Sequence, residues 1–365
     1  MRKFLRSITI LLTWLIALAL VMITASVHID PSKFYVFAFA GFLFPVAWGL
    51  NAAVLVYWTV RFRKQLLIPL IALLVSWPQW QNTFQLSGRT VDDVETLENP
   101  VTIMSFNVKM FDLYHWSGRQ DILDRTFDFI RKENPDIVCF QEFYATSDNR
   151  KYSENYIVNR LKQYQYRHIE YQYTKFTIGR AGLATFSKYP ITKKHVIRFE
   201  NTTNFSIQTD IKVRGKTIRI FNNHMESMRL NEKDIELIGK VKSVEGLDNE
   251  KELMPVIQKL IKSSIRRSEQ AKLISTHISN SAYPVVVCGD FNDTPVSYVY
   301  HKLRGDLKDA YVEAGKGFGG TYIGRLPSYR IDFILFDPSF EAYNYKRQAV
   351  ELSDHFPIMV TLDLK

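Results

Sequence analysis

The hydrophobic pattern divides the chain into two regimes. Near the N-terminus, residues 7–27, 34–60 and 65–88 carry no Asp, Glu, Lys or Arg. The first two stretches supply the roughly 20 apolar residues that a bilayer-spanning helix needs. The third is marginal: its apolar core is 66–77, with Pro69 inside and Pro78 at its edge. From residue 101 the pattern changes to short β-branched and aromatic runs alternating with amphipathic segments. Residues 101–108, 136–140, 182–187, 205–213, 216–222, 284–288, 331–336 and 359–364 are predicted strands. Residues 119–133 predict a helix with Ile122, Leu123, Phe127 and Ile130 on one side, closed by Asn134-Pro135. Arg214-Gly215 suits a hairpin turn. Between His224 and Asp290 the chain is long and charged, and Leu253, Val256, Ile257, Leu260 and Ile261 fall at helical spacing. Mixed helices and short strands of this kind indicate an α/β or α+β sandwich.

Charge refines the apolar half. Arg2, Lys3 and Arg6 precede the first stretch, and Arg61, Arg63 and Lys64 separate the second from the third. The positive-inside rule puts both basic clusters in the cytoplasm. If the third stretch spans, the remainder lies outside the cytoplasm, which is the favoured arrangement; otherwise it lies on the cytoplasmic face. Trp14, Trp48, Trp58, Trp77 and Trp80 include several near the span ends, as interfacial belts favour. A cleaved signal peptide, with Ala25-Ser26 at the cut, is the competing reading of the first stretch. The longer apolar stretch that follows at once argues for an anchor instead. The organisation expected is a membrane anchor of two to three helices over 1–88, an acidic, polar linker over 89–100 and a catalytic domain over 101–365. Residues 1–99 hold eight Lys/Arg and five Asp/Glu, a net of +3, which leaves +7 of the chain's +10 to the large domain. That balance favours phosphate-bearing substrates or an anionic membrane surface. Cys139 and Cys288 both sit in apolar runs and read as buried small hydrophobes; a disulfide would need their strands to be neighbours.

The chemistry gathers at strand ends. Gly289-Asp290-Phe291-Asn292 follows the run 284–288, and Ser353-Asp354-His355-Phe356-Pro357 precedes the last strand. In extended chain Asp290 and Asn292 would share one side, with Phe291 turned into packing. Other strand termini deliver Asn107, Glu142, His224 and Asp332. These are hard oxygen donors, amides and imidazoles, a set that suits one Mg²⁺-type ion. The two histidines could stabilise a phosphoryl oxygen or protonate a leaving group. Singly, each residue has an ordinary alternative: Asn107 as a turn cap, Glu142 as a solvated loop acid, His224 as a satisfied core histidine, Asp332 as the partner of Arg330. No zinc-finger spacing, nucleic-acid helix motif or phosphate-binding glycine loop is present.

Residues 100–365 resemble the endonuclease/exonuclease/phosphatase superfamily, which includes DNase I, exonuclease III-type repair enzymes, neutral sphingomyelinases and inositol polyphosphate 5-phosphatases. The matching segments are SFNV (105–108), IVCFQE (137–142), GLATFSKYPI (182–191), NNHMES (222–227), GDFNDTP (289–295), TYIGRLPSYRIDFIL (321–335) and SDHFP (353–357). The resemblance implies a four-layered αββα sandwich of the DNase I-like type, preceded here by the transmembrane helical segment. It also implies a phosphodiesterase or phosphomonoesterase that uses Mg²⁺ or Mn²⁺. Carried over residue by residue, Glu142 is similar to the principal metal ligand, with Asn107 beside it. Asp290 matches the acid that orients or deprotonates water, and Asn292 a ligand of the scissile phosphate. His355 would stabilise the transition state, Asp354 would complete the metal or hydrogen-bond shell, and Asp332 would support a histidine. His224 resembles DNase I-like and sphingomyelinase-like members rather than abasic-site repair enzymes. The helical insert 228–265, ahead of Arg266-Arg267-Ser268-Glu269-Gln270, departs from the family pattern.

The expected substrate is a phosphate ester: a lipid headgroup, a nucleic acid or a small phosphodiester. Membrane tethering favours a lipid or soluble phosphodiester at the membrane face. An extracytoplasmic DNase I-like endonuclease is the alternative, with Tyr164, Tyr166, Tyr171 and Tyr173 as stacking surfaces, although those tyrosines also suit ordinary strand packing. A non-catalytic membrane-anchored binding protein that retains the fold is the second alternative. No obligate protein partner is inferred.

Overall fold

In the computed structural model, which describes residues 2–147, 151–172, 179–228, 230–231, 233–237, 250–324 and 328–365, the apolar N-terminus forms a three-helix bundle. Its helices are α1 (Arg2–Ala25), α2 (Ala40–Val60) and α3 (Leu67–Val75). Leu20, Phe44 and Leu73 meet in its core. Two buried polar groups are bonded between helices: Trp58 Nε1 donates to Thr13 Oγ1 (2.9 Å) and Asn51 Nδ2 to the Ile16 carbonyl (3.1 Å). Leu11, Leu15, Leu18, Val46 and Leu50 point outward and are exposed. An exposed apolar surface of this extent suits contact with lipid or with another apolar surface. With their flanking turns the first two helices run Lys3–His28 and Tyr35–Val60, 26 residues each, long enough to cross a bilayer. The third apolar helix, Lys64–Val75, is too short to do so alone. A break at Ser76 separates it from the helical turn Trp77–Gln81.

The rest of the chain is a sandwich of two six-stranded sheets. Its strands are β1 (Pro100–Asn107), β2 (Ile137–Thr146), β3 (Tyr166–Tyr171), β4 (Gly179–Ser187), β5 (Ile191–Arg198), β6 (Phe205–Val213), β7 (Lys216–His224), β8 (Val285–Asp290), β9 (Lys308–Asp309), β10 (Asp332–Phe336), β11 (Phe340–Arg347) and β12 (Ile358–Leu364). One sheet has the order β11-β12-β1-β2-β4-β3, the other β9-β10-β8-β7-β6-β5. Among the described strands only β1/β2 and β7/β8 pair in parallel. These four central strands are largely buried; β8 is accordingly an apolar run through Cys288, whereas β7 carries Arg219 and buries Asn222, Asn223 and His224 at its end. Ile103, Ile220, Val286, Ile334 and Val360 fill the space between the sheets. Cys139 and Cys288 lie in that same cluster as free thiols.

Helices cover the outer faces and complete four layers. α4 (Ile122–Glu133) places Phe127 and Ile130 against Phe140 and Phe186. It starts three residues later than its apolar spacing suggests, because Gly118 adopts a left-handed turn ahead of it. α5 (Glu250–Ser279) and α6 (Tyr298–Arg304) cover the second sheet with Ala271, Ile274, Val299 and Leu303. Arg214 and Gly215 both have positive φ, so the β6–β7 hairpin turns as expected.

Bundle and sandwich are joined closely. The Tyr329 hydroxyl donates to the Phe42 carbonyl (3.1 Å), Lys272 pairs with Asp30, and Arg304 and Arg330 donate to Asn82 (2.9 and 2.8 Å). Gly41 lies so close to Val296 that a Cβ would meet the Val296 carbonyl oxygen at 2.0 Å. The acidic stretch 89–100 is held along the sandwich: Asn344 bonds Arg89 and Val91, and the Asn99 N–H donates to Asp363 (2.7 Å). The α1–α2 connection and the segment after α3 therefore both touch the sandwich. The basic clusters at Arg2–Arg6 and Arg61–Lys64 lie at the opposite helix ends.

Candidate active site

Seven of the eight residues singled out in the sequence converge at one end of the sandwich, and the eighth, Asn292, joins them through a turn rather than along a strand. Strand β8 ends at Asp290; Asn292 has φ 52°, and its N–H donates to Asp290 Oδ1 (2.8 Å). The alternation expected of extended chain thus stops at Asp290, because the local side chain–backbone bond wins beyond it. Asn292 Nδ2 donates to the Met225 carbonyl (3.1 Å), which fixes the amide. Phe291 is buried and stacks on Phe333, as expected. Gly289 is needed where it stands. Its φ is 127°, and a Cβ would meet the Asn223 carbonyl oxygen at 2.0 Å across the β7–β8 pair.

Glu142 reaches the site through a bulge. In the β2/β4 ladder Phe140 pairs with Ala184 and Phe143 with Gly182, so Gln141 and Glu142 together oppose Leu183. Glu142 takes φ 49°, a left-handed conformation that costs a non-glycine residue of order 1 kcal/mol. The bulge separates two adjacent polar side chains. Gln141 turns between the sheets and donates to Asn222 Oδ1 (2.7 Å), while Glu142 faces the cavity. Asn107, at the end of β1, joins the two sheets: its Nδ2 donates to Glu142 Oε1 (3.2 Å) and to Asp290 Oδ2 (3.0 Å).

The two histidines come from different sheets: His224 ends β7 in the second, and His355 lies just ahead of β12 in the first. Asp332 opens β10 directly opposite Asp290, and its Oδ2 accepts from His355 Nδ1 at 2.9 Å. His355 Nε2 then lies 3.8 Å from Asp290 Oδ2. Burial opposes a charge on this ring, but Asp332, then Asp290 and Asp354, outweigh it and raise the His355 pKa to about 10. Burial in turn lifts Asp290 to about 6, against the pull of His355 and His224. Ligand atoms of Asp290, Asp332 and His355 lie within 4.8 Å of one another. A protonated imidazole has no lone pair to offer a cation, so this trio could serve as a cation's ligand set only with the ring neutral. His224 Nε2 is 3.6 Å from Glu142 Oε1 and has no hydrogen-bond partner, unlike a satisfied core histidine.

Asp354 does not hold His355, although it is its neighbour in sequence. Its Oδ2 accepts from Lys109 Nζ (2.8 Å), and that ammonium lies 4.9 Å from the centre of the Trp116 ring. Arg330 pairs with Asp309 (2.7 Å), not with Asp332. Lys109 and Tyr322, whose ring sits edge-on to His355 at 5.4 Å, are the neighbours that sequence reasoning missed. Neither carries a signal of its own, since both are brought in by turns. Arg266 and Arg267, from the stretch after the helical insert, are structural: they bind Glu226 and Asp293 and pin the loop that follows His224. Leu253 to Ile261 lie in α5 as their spacing predicts; residues 238–249 of the insert are outside the described residues. Tyr164 is buried with its hydroxyl on the Pro135 carbonyl, and the Arg180 guanidinium lies over the Tyr171 ring at 4.3 Å, so Tyr164 offers no stacking face and one face of Tyr171 is taken. Tyr173 and residues 325–327 are outside the described residues.

Glu142, Asp290, Asn292, Asp354 and His355 line one cavity of about 500 Å³. The donor set fits a hard divalent ion on the Glu142 side. There, among the described residues, a carboxylate open to the cavity has beside it the Asn107 amide and His224 Nε2, which makes no hydrogen bond.

A model described as "Endonuclease/Exonuclease/phosphatase family" matches residues 104–355. A second, described as a domain of unknown function (DUF8431), matches residues 2–83. No curated protein matches the chain. Among solved structures, an endonuclease/exonuclease/phosphatase from Beutenbergia cavernae is similar at 16% identity and TM-score 0.53, covering 73% of this chain and 72% of that one. One from Bacteroides vulgatus is similar at 20% identity and TM-score 0.53, covering 73% and 100%. The human nocturnin catalytic domain, solved with a bound sulfate anion, is similar at 16% identity and TM-score 0.50, covering 73% and 94%.

Proposed function

Because the chain belongs to the endonuclease/exonuclease/phosphatase family, we propose that it is a membrane-anchored, divalent-metal-dependent phosphoesterase that hydrolyses a phosphate ester by in-line attack of water. The observation that carries this reading is the buried Asp332–His355–Asp290 relay facing the same cavity as Glu142. Asp290, with a pKa near 6, is ionised at neutral pH yet basic enough to take a proton from the attacking water. Asn107 Nδ2 and the Asn292 N–H hold its two oxygens in place for that transfer. His355 stays protonated, with Asp332 fixing the ring through Nδ1, and presents its Nε2 proton to the phosphoryl oxygen that gains charge. Attack forms one P–O bond and breaks the bond to the leaving alcohol, which takes up a proton as it departs. Asn292 and His224 are assigned to binding the phosphate. Glu142, with Asn107 and Asp354, would hold Mg²⁺ or Mn²⁺, which supplies charge neutralisation at the phosphoryl oxygens.

We assign residues 1–88 to the anchor, 89–100 to the connection and 101–365 to catalysis. We place the catalytic domain outside the cytoplasm, because the sandwich touches the helix ends opposite both basic clusters. The deciding experiment is hydrolysis of bis-p-nitrophenyl phosphate by the purified full chain, with and without chelator, beside His355→Ala. Chelator-sensitive turnover that His355→Ala abolishes is expected. Equal turnover by wild type and variant would remove the assignment, and inertness of the wild type toward every phosphate ester would favour a non-catalytic binding protein.

A further inference from the structure

The catalytic cavity has a third wall that belongs to neither sheet. Phe39 and the first turn of α2, through Phe42 and Leu43, line it together with Asp290, Asn292 and His355. Met228, Leu230 and Leu260, from the β7–α5 connection and α5, line the same cavity. Its lining therefore combines acid and imidazole groups with aliphatic and aromatic ones. The apolar part is continuous with a helix whose next outward residues, Val46 and Leu50, are exposed apolar groups of the bundle. This wall is firmly placed. The Tyr329 hydroxyl holds the Phe42 carbonyl, the Tyr329 and Phe42 rings meet edge-on at 5.0 Å, and Gly41 lies against Val296.

From this geometry we infer that the substrate is a bilayer-resident phosphate ester bearing an alkyl chain, whose chain lies against Phe39, Phe42 and Leu43 while its phosphate meets Asp290 and His355. The inference rests on the phosphoesterase reading above and names its substrate class. Three observations favour this occupant over a water-soluble one. An apolar wall beside a reactive phosphate site gains free energy only if an apolar group covers it, at about 0.8 kcal/mol per buried methylene. The cavity, at about 500 Å³, has room for several methylenes beside a phosphate. Among the described residues its lining holds no Lys or Arg, whereas a site tracking a nucleic acid backbone needs cations and exposed stacking faces. Because Phe42 and Leu43 begin a candidate spanning helix, a lipid at the same depth reaches the centre laterally, without leaving the bilayer.

The test uses the full chain in phosphatidylcholine vesicles with methyl, octyl and hexadecyl p-nitrophenyl phosphate. These probes share one leaving group and differ only in chain length. The readout is the ratio of kcat/KM for the hexadecyl ester over the methyl ester, taken within each sample so that any unfolded fraction cancels. Wild type is expected to give a ratio of at least ten. Phe39→Ser/Leu43→Ser should lower that ratio at least tenfold, and Leu260→Ser, from α5, should lower it in the same direction. A wild-type ratio near one, or a ratio that both variants leave where it was, overturns the lipid inference while turnover of the methyl ester keeps the phosphoesterase reading. Absence of metal-dependent turnover for all three esters overturns both.

Discussion

The two polar walls of the cavity differ in burial and in freedom. On the His355 wall Asp290, Asp332 and the ring are buried against one another: Asp332 Oδ2 holds Nδ1 and Nε2 approaches Asp290, while Asp332 Oδ1 makes no hydrogen bond among the described residues. On the Glu142 wall His224 Nε2 makes no hydrogen bond among the described residues and lies 3.6 Å from the partly exposed Glu142 carboxylate, which sits on a left-handed bulge. A desolvated cluster of opposite charges fixes protonation states before substrate arrives, whereas an open carboxylate leaves room for a cation and phosphate oxygens. On the proposed reading the difference separates proton handling from ligand binding within one site.

The comparison breaks most visibly at the buried His355 wall. His355→Ala and Asp290→Asn should each lower kcat by about 10²–10⁴-fold, the usual worth of positioned acid–base groups. Steady-state kinetics on protein with native circular dichroism checks this, and a loss under tenfold would remove either residue from the chemistry. Glu142→Gln should instead act through the ion, raising the Mg²⁺ or Mn²⁺ concentration for half-maximal activity by about 10–100-fold. A metal titration that does not shift would detach Glu142 from the metal.

The pH profile sharpens the contrast. Asp290 must be ionised and His355 protonated, so activity should rise with pH through about 6 and fall as pH passes about 10. Removing one carboxylate from His355 lets its proton leave sooner, and it also removes a negative charge that helps raise Asp290, so Asp332→Asn should move both the alkaline and the acid limb to lower pH. An unmoved alkaline limb would mean that His355 does not set it. The smallest effect expected is on stability. Glu142→Gly relieves the left-handed strain and should raise stability by about 1 kcal/mol while losing activity, measurable by urea unfolding. A destabilised Glu142→Gly protein would show that the bulge is held by the carboxylate itself.

Much of the fold is legible in the chain because apolar runs report burial directly. The unbroken run 284–288 could only be a doubly buried strand, and the charge-free stretches 7–27 and 34–60 could only be satisfied by an apolar surround or by lipid. The edge strands β3, β5, β9 and β11 were not legible, because edge strands alternate weakly and carry many charges: β5 places Lys193, Lys194 and His195 outward. Within the site, Asn107, Glu142, His224, Asp290, Asn292, Asp332, Asp354 and His355 could be named from strand ends alone. Their pairings could not. Asp354 lies beside His355 in sequence, yet Lys109 takes it and Asp332 takes the histidine.

The sequence by itself therefore determined the chemical inventory, hard oxygens and imidazoles at the ends of buried strands, together with the apolar N-terminal helices. Burial and residue type are local properties, and a chain states them one residue at a time. Only the tertiary structure decided which acid meets which histidine, that Glu142 and Gln141 face opposite ways, and that Phe42 and Leu43 of α2 wall the same cavity as Asp290. Each of those depends on register, on a bulge or on a left-handed turn, where the two-residue alternation of a strand fails. They also depend on contacts between segments separated by more than a hundred residues, such as Phe42 and Tyr329.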